Sequence, residues 1–148
     1  MAKQKLFQDS SCPVARSIDI IGDKWSLLIL RDCFDGIRRF SEFQESLGIA
    51  KNILADRLKM LTQEEILMIA PASDGSAYQE YVLSAKGKTL FPVVVSLRQW
   101  GELELFKDNE KHSILVDQKN SQPIQKIEIR NQAGEVIDPL ETRVNKVN

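Results

Sequence analysis

The sequence predicts an α+β fold that is mostly helical, in which a short hairpin lies between helices and a small β-rich appendage ends the chain. In residues 48–61, GIAKNILADRLKML, the side chains of Leu54, Leu58 and Leu61 fall in one narrow sector if a helix advances about 100° per residue. The period then changes from helical to extended over residues 66–83, and a long apolar helical run follows. Helix, turn, helix and hairpin in this order predict a winged helix-turn-helix.

Residues 13–34 are predicted to form two helices separated at Gly22 and Asp23. Pro13 suits the first turn of a helix, where its missing N–H costs no hydrogen bond, and Asp23 can cap the helix that follows it. The second of these helices is apolar nearly all round, so we expect it to be buried.

A turn at residues 35–40 leads into the first helix of the motif. Ser41 and Gln44 have the spacing of a capping box at its start, and Gly48 suits the tight turn that ends it. The leucine-bearing helix then follows, so the sequence predicts two helices joined by a short turn.

Two strand-like segments, residues 66–71 and 78–83, follow the leucine-bearing helix. Asp74 and Gly75 between them form one of the strongest hairpin-turn signals in a sequence. We expect a two-stranded wing.

The apolar run 84–106 is predicted to be one long helix, kinked at Pro92 because proline removes a backbone donor. So apolar a helix at the edge of a domain usually needs a partner surface. Beyond it, alternating segments and a turn at Gly134 indicate a small β unit. We expect a winged helix-turn-helix and dimerisation domain at 1–110 and a β-rich appendage at 111–148.

Composition limits the class of protein. The chain has 148 residues, of which 43% are hydrophobic and 28% charged, as in ordinary globular proteins. A net charge of −1 and a pI of about 5.9 argue against indiscriminate coating of nucleic acid, although a local basic face is compatible with them. No apolar run approaches the roughly 20 residues of a membrane span, and no secretory signal is visible. We expect a cytoplasmic protein with no membrane partner.

Side chains that carry catalysis or bind metals are sparse. Cys12 and Cys33 cannot build a disulfide scaffold or a four-ligand zinc site, and His112 is the single histidine. The sequence has no nucleophile and base pair and no glycine-rich phosphate loop. We expect no enzyme, no metal and no cofactor.

Several motifs together resemble a known family. They are CPV at 12–14, KWSLLIL at 24–30, RRF at 38–40, RLKML at 57–61 and EYVLSAKG at 80–87. This pattern resembles the HxlR-type winged helix-turn-helix regulators, relatives of the MarR group. The resemblance implies a homodimeric bacterial transcription regulator, often a repressor, that sets the second helix of the motif into the major groove of DNA.

Residues near the N-terminus of such a helix reach base edges. Asn52 can pair bidentately with adenine, Lys51 can donate to guanine or phosphate, and Ala55 can touch a thymine methyl. Asp56 could accept from cytosine but repels phosphate. The predicted phosphate contacts, which fix register without reading sequence, are Lys59, Arg38 and Arg39. The alternative is a merely solvated face.

Arg57 lies beside the leucine seam on the helical wheel, so a DNA contact and a role in packing or pairing within the fold both remain open. Glu65 stands where relatives usually have the glycine that ends the recognition helix, and the end of the helix could shift for that reason.

The wing departs from the family pattern. Relatives commonly carry arginines on the first wing strand and near the tip, whereas this chain has Ile69, Ala70, Gly75 and Tyr78 there. An acidic tip at Asp74 would meet phosphate unfavourably. We therefore expect weaker or narrower DNA binding than in a typical relative.

Longer members of the family end in a segment that resembles a zinc knuckle, Cys-x2-Cys-Gly-Glu. Here Arg130 and Ala133 stand where those cysteines would be, so a zinc ion would have no thiolates to hold it. The appendage is expected to depend on packing or on docking to the dimer.

Cys12, directly before Pro13, is predicted at the N-cap of the first helix, where the positive end of the helix favours the reactive thiolate. Several relatives use this cysteine as a sensor, which makes Cys12 a redox-sensing candidate. The alternative is a small packing residue. Cys33 is expected in the core.

The predicted two-fold interface consists of the helix from Ser84 to Phe106 and residues 4–21. Its apolar contacts are expected to be Phe91, Val94, Leu97 and Trp100. Two recognition helices would then lie about 34 Å apart, or a multiple of that distance.

We predict a sequence-specific DNA-binding transcriptional regulator that binds a pseudo-palindromic operator as a homodimer. The resemblance implies that it is a repressor. It would respond to oxidants or electrophiles through Cys12, and the sequence leaves the effector open. The alternative is a winged-helix protein-interaction module with weak or lost DNA binding.

Overall fold

The computed structural model describes residues 5–147. Residues 1–4 and 148, which fall at the ends of the predicted domains and of the predicted interface segment, lie outside the described residues. The chain divides into two compact units, 1–94 and 95–148. The predicted domain boundary after residue 110 stays a prediction.

Two helices open the first unit, as predicted. Helix α1 spans Pro13–Ile21 with Pro13 at its first position, and helix α2 spans Lys24–Phe34. The Asp23 carboxylate accepts hydrogen bonds from the backbone N–H groups of Trp25 and Ser26, so the predicted cap is confirmed. Lys24 is the one exposed residue of α2, which confirms that this helix is largely buried.

Helix α3, Phe40–Leu47, begins earlier than predicted. The capping box assigned to Ser41 and Gln44 is wrong, because Ser41 already lies inside the helix. The Glu42 carboxylate instead accepts the backbone N–H of Arg39, at 3.2 Å.

Gly48 has a φ of 60° and ends α3 in the left-handed region, as the tight turn requires. Helix α4, Lys51–Gln63, follows. Leu54, Leu58 and Leu61 are fully buried and form the centre of a core that also contains Ile29, Leu30 and Phe43. The predicted leucine seam is therefore confirmed, and it fixes which side of α4 faces outward.

A Schellman motif ends helix α4. The N–H of Glu65 donates to the Thr62 carbonyl, and the N–H of Ile66 donates to the Leu61 carbonyl. Glu65 adopts a φ of 62°, which is unfavourable for a residue with a Cβ atom. The glutamate therefore adopts a conformation that glycine takes without strain.

Glu65→Gly should stabilise the fold by about 1 kcal/mol, because it removes the left-handed penalty without touching the core. Urea denaturation of both proteins measures this difference. Glu65→Ala is the control: it deletes the carboxylate but keeps the Cβ, so a gain of equal size in Glu65→Ala would contradict the backbone explanation.

The predicted wing is confirmed. Strand β1, Leu67–Pro71, pairs antiparallel with strand β2, Gln79–Leu83, with Leu67 opposite Leu83 and Pro71 opposite Gln79. Gly75 has a φ of 77° at the tip. The backbone N–H of Tyr81 also donates to the Arg38 carbonyl, which joins the wing to the turn before α3.

The single kinked helix predicted over 84–106 is wrong. Helix α5 spans only Ala85–Lys88, and helix α6 spans Phe91–Glu104. Pro92 lies in the first turn of α6, where proline is tolerated, so a new helix starts instead of a bend.

The Ser84 hydroxyl joins three segments of the first unit. It caps α5 by accepting the N–H of Gly87. It also lies 2.5 Å from the Glu65 carbonyl oxygen and 3.0 Å from that of Ile66, to which it donates. The end of α4, the end of the wing and the start of α5 are therefore fastened at one buried point.

In the second unit, the residues after α6 are extended, but within the described part of the chain they form only isolated bridges, Val116 with Pro123 and Arg130 with Val136. A short 3₁₀ turn at Pro139–Glu141 follows. The Gln99 side chain accepts the N–H of Ile127 at 2.8 Å and donates to the Gln125 carbonyl. The expected β-rich appendage thus has bridges in place of strands, and Ile127 and Ile129 are exposed.

Within residues 5–147, no helix is long and apolar enough to cross a membrane.

Candidate nucleic-acid interface

The outward side of helix α4 is polar and accessible. Lys51, Asn52, Ala55 and Lys59 are exposed, and Asp56 is half-buried. The outward orientation of these five residues follows from the buried leucines, since a helix whose leucine seam faces the core turns these positions to the opposite side. Lys51 and Asn52 are the first two helical residues, which is where a helix inserted into a groove usually meets base edges.

Arg57 lies apart from that face. Its side chain is 11% exposed, with Nη1 3.4 Å from Asp23 Oδ1 and Nη2 2.5 Å from Asp56 Oδ2. Of the two interpretations left open by the sequence, these contacts favour pairing within the fold.

The Asp23–Arg57 contact joins the N-terminus of α2 to the middle of α4. Burial would raise the pKa of Asp23, but hydrogen bonds from Ser26 and the charge of Arg57 hold it below its ordinary value. Asp23 therefore remains ionised as cap and as partner.

The two arginines before α3 are close to acidic groups of the wing. Arg39 Nη2 lies 2.5 Å from Asp74 Oδ2 at the tip, and its guanidinium carbon lies 5.6 Å from the centre of the exposed Tyr78 ring. Arg38 Nη1 is 3.9 Å from Glu80 Oε1. Both residues face the wing, so phosphate binding by either would have to compete with a carboxylate.

Glu80 is 4% exposed and anchors the wing from inside. Its carboxylate accepts the N–H and the hydroxyl of Ser73 and lies 3.8 Å from Arg39 Nε. These polar contacts help to hold the wing near Arg39, directly before α3.

The Asp74 carboxylate is ionised at neutral pH. Hydrogen bonds from the backbone and side chain of Ser76, and then the one from Arg39, lower its pKa from 3.8 to about 2. Because the pKa of Asp74 is lower in the folded state, its ionised form stabilises the fold above pH 3.8, and this stabilisation is lost as the pH falls through about 2. The Arg39–Asp74 pair is therefore intact at neutral pH.

Asp74→Asn should tighten DNA binding, because it removes the acidic tip and releases the Arg39 guanidinium from its closer carboxylate, leaving Glu80 at 3.8 Å. We expect the log–log dependence of affinity on salt to steepen by roughly 0.9 per subunit. Gel retardation over a KCl series measures it, with Asp9→Asn, an exposed acid elsewhere, as the control. Weaker binding by Asp74→Asn would contradict this prediction and would mean that the Arg39–Asp74 contact promotes DNA binding by holding the wing in place.

Lys24 and Trp25 border the same surface and were missed by sequence reasoning, which used KWSLLIL only as a family motif. Lys24 Nζ lies 4.9 Å from the centre of the half-buried Trp25 ring. The available signal was positional: a lysine directly after a capping aspartate has to lie at the exposed end of its helix.

The two thiols differ sharply. Cys12 precedes α1 as its N-cap residue and is exposed, so packing within the described chain does not account for it. Burial, together with the charge of Asp32, raises the pKa of Cys33 to about 12. In residues 5–147, no three His, Cys, Asp or Glu side chains are grouped to hold a metal ion.

The predicted interface residues are only partly exposed to solvent. Phe91 is 41% exposed and its ring packs 5.1 Å from that of Phe34, while Val94 packs against the core. Leu97 and Trp100 are 49% and 58% exposed. Val14 and Ile18 on α1 are also exposed, so α1 offers an apolar surface as well.

A sequence model of HxlR-like helix-turn-helix proteins matches residues 20–109. The chain belongs to the HxlR-like helix-turn-helix family. Its match to Mb3122 of Mycobacterium bovis, named an uncharacterised HTH-type transcriptional regulator, is 39% identical over 89 residues and covers 60% of this chain but only 56% of the relative. YodB of Bacillus subtilis, named an HTH-type transcriptional regulator, is 31% identical over 96 residues, which cover 64% of this chain and 86% of YodB.

Solved structures agree with this HxlR-like fold. PA1607, described as a candidate transcription factor, superposes with a TM-score of 0.90 at 47% identity and covers 95% of this chain and 99% of its own. The redox regulator HypR in its reduced form has a TM-score of 0.56 at 32% identity and covers 62% of this chain and 91% of its own. PA1607 is thus similar over the second unit as well as the first.

Proposed function

We propose that this HxlR-like protein is a bacterial, cytoplasmic transcriptional regulator that binds a pseudo-palindromic operator as a homodimer and represses its target. The observation that carries the proposal is the outward face of α4, which presents Lys51 and Asn52 at its start and keeps its leucines in the core. An exposed Asn and Lys at that position have the donors and acceptors that read adenine and guanine in the major groove.

A dimer is proposed because exposed apolar side chains lie on both predicted interface segments. Val14 and Ile18 on α1, and Leu97 and Trp100 on α6, are each about half exposed or more. A two-fold contact through these segments would cover them and pair the recognition helices one helical turn of DNA apart, about 34 Å, or a multiple.

Selection from a random duplex library tests the proposal. We expect recovered sites to be pseudo-palindromes with half-sites about 10 base pairs apart, or a multiple, and retardation of such a site to be saturable and to resist a scrambled competitor. Sedimentation should give twice the chain mass. Recovery of no shared motif, or a single chain bound to DNA, would contradict the proposal.

The alternative is a winged-helix protein-interaction module with weak DNA binding. It is favoured by one observation, the engagement of Arg38 and Arg39 by acids of the wing. For this module we expect only sequence-independent retardation that 200 mM KCl abolishes, since non-specific binding rests on phosphate contacts. The salt series on selected and scrambled duplexes separates the two functions.

We also propose Cys12 as the redox-sensing residue. Its thiol is exposed, and the similar protein HypR is named a redox regulator in its reduced and oxidised forms. Oxidation would shift the dimer because Cys12 begins α1, one of the proposed interface segments. Cys12→Ser should hold operator DNA under diamide while the parent releases it; identical release by both would exclude the sensor.

Iodoacetamide at pH 8 should alkylate Cys12 in the folded protein and leave Cys33 unmodified. Cys33 has a pKa of about 12, so it contains almost no thiolate at that pH, and its side chain is also partly enclosed. Peptide mass spectrometry reads both sites, and a sample unfolded in urea is the control in which both should react. Equal labelling in the folded protein would contradict the assignment.

A further inference from the structure

The start of helix α2 and the recognition helix α4 enclose a shallow cleft. The Asp23–Arg57 ion pair is part of its lining. The cleft has a volume of about 500 Å³ and is lined by Asp23, Trp25, Asn52, Ile53, Asp56 and Arg57. Asn52 therefore belongs both to the proposed base-reading face and to the wall of this cleft.

Lys24 lies between Asp23 and Trp25, two residues that line the cleft. Its Nζ sits over the Trp25 ring at 4.9 Å, an arrangement that holds an ammonium group by cation–π attraction while leaving its donors free. Among residues 5–147, no carboxylate oxygen lies within ion-pair distance of it. The acids of the cleft are already occupied, Asp23 by Ser26 and Arg57 and Asp56 by Arg57.

The dimensions of DNA place the cleft near a phosphate. A helix with side chains is about 10–12 Å across and the major groove is about 12 Å wide, so surfaces directly beside the base-facing residues meet the sugar–phosphate strands. If Asn52 faces a base edge, the cleft next to it opens toward one of those strands.

We propose that Lys24, held over Trp25, binds a backbone phosphate of the DNA strand that borders the recognition helix. This contact supplies positive charge on the α2 side of α4, whereas the wing side has its arginines tied to Asp74 and Glu80. Trp25 is the positioning residue, because its ring fixes where the ammonium group lies. The inference rests on the proposed DNA-binding function.

The test is the salt dependence of DNA binding by Lys24→Ala. Retardation of a library-selected duplex and of its scrambled version is measured over a KCl series. We expect the log–log slope to fall by roughly 0.9 per subunit, and affinity for both duplexes to fall by a similar factor, because a phosphate contact does not read sequence. Lys88→Ala, the loss of an exposed lysine on α5, is the matched control and should keep the parental slope.

A second readout uses the two tryptophans of the chain. In the parent, which keeps Trp100 at the proposed interface, tryptophan fluorescence should change as DNA is added, with the same midpoint as retardation, and Lys24→Ala should reduce that change. An unaltered slope in Lys24→Ala, while the parent binds its selected duplex, would overturn this inference and leave the proposed function standing. No binding by the parent to either duplex would overturn both.

Discussion

Gly87→Ala should destabilise the protein by roughly 3 kcal/mol, the upper end of what overpacking usually costs. Gly87 is buried, and an ideal Cβ built there would lie 2.2 Å from the Ile66 carbonyl oxygen and 3.1 Å from Leu83 Cδ2. The close neighbour is backbone, which cannot swing aside as a side chain can. The same carbonyl also accepts from Ser84, so any shift would disturb the point where α4, the wing and α5 are fastened. Thermal and urea unfolding both measure the loss.

Gly101→Ala is the matched control for that experiment. Gly101 lies inside α6, where the nearest atom to a new Cβ is Leu105 Cδ1 at 4.0 Å. There alanine should stabilise the helix by up to about 1 kcal/mol, because glycine is the poorer helix former. If Gly87→Ala unfolded no more easily than the parent, the close approach of α5 to Ile66 would be refuted.

Asn52→Ala should remove most of the discrimination between a selected operator and a scrambled duplex. A good bidentate pair between a side chain amide and adenine is worth about 1–3 kcal/mol, and a dimer would lose two of them. Affinity for the operator should therefore fall about 10-fold per subunit if each pair is worth about 1.4 kcal/mol, while affinity for scrambled DNA changes little. Competition retardation gives the ratio directly.

Lys59→Ala supplies the contrast to Asn52→Ala. Lys59 is exposed and is proposed to touch phosphate, so its loss should weaken binding to operator and scrambled duplexes alike. Both changes are on the solvent side of α4, and unfolding midpoints should stay close to that of the parent. Equal weakening of the two duplexes by Asn52→Ala would show that Asn52 does not read a base, and unchanged binding to both would show that it is only a solvated residue.

The parts of the fold that local sequence determines were predictable. The buried leucines of α4 follow from helical period, the cap at Asp23 from its short acidic side chain, and the wing turn from Asp74-Gly75. Each signal lies within a few residues of the structure it produces, so a single sequence contains it.

Errors arose where two signals competed at one place. The capping box was placed at Ser41 and Gln44, but α3 starts earlier because the Glu42 carboxylate reaches the N–H of Arg39. Pro92 could bend a helix or begin one, and the turn after Lys88 allowed it to begin one. In the appendage, the alternation of apolar and polar residues indicated strands. Its backbone instead bonds in part to the Gln99 side chain, where a strand would bond to a neighbouring strand.

The candidate site was predictable only in part. The exposure of Lys51 and Asn52 follows from the helix they share with the leucines. The pairing of Arg39 with Asp74 joins residues 35 positions apart, and that of Arg57 with Asp23 joins separate helices, so no local pattern contains them. Both pairings depend on how the elements pack, and they change which cations are available to DNA.

The buried hydroxyl of Ser84 has a mechanical consequence. This hydroxyl bonds the Glu65 and Ile66 carbonyls just beyond the end of the recognition helix and also caps the first turn of α5, so the two helix ends are tied together. A displacement of α5 would therefore be passed to the C-terminal end of α4 through these bonds and not through the hairpin tip. Ser84 thus links the end of α4 to the start of α5, and its replacement by alanine would loosen this link even in a protein that remains folded.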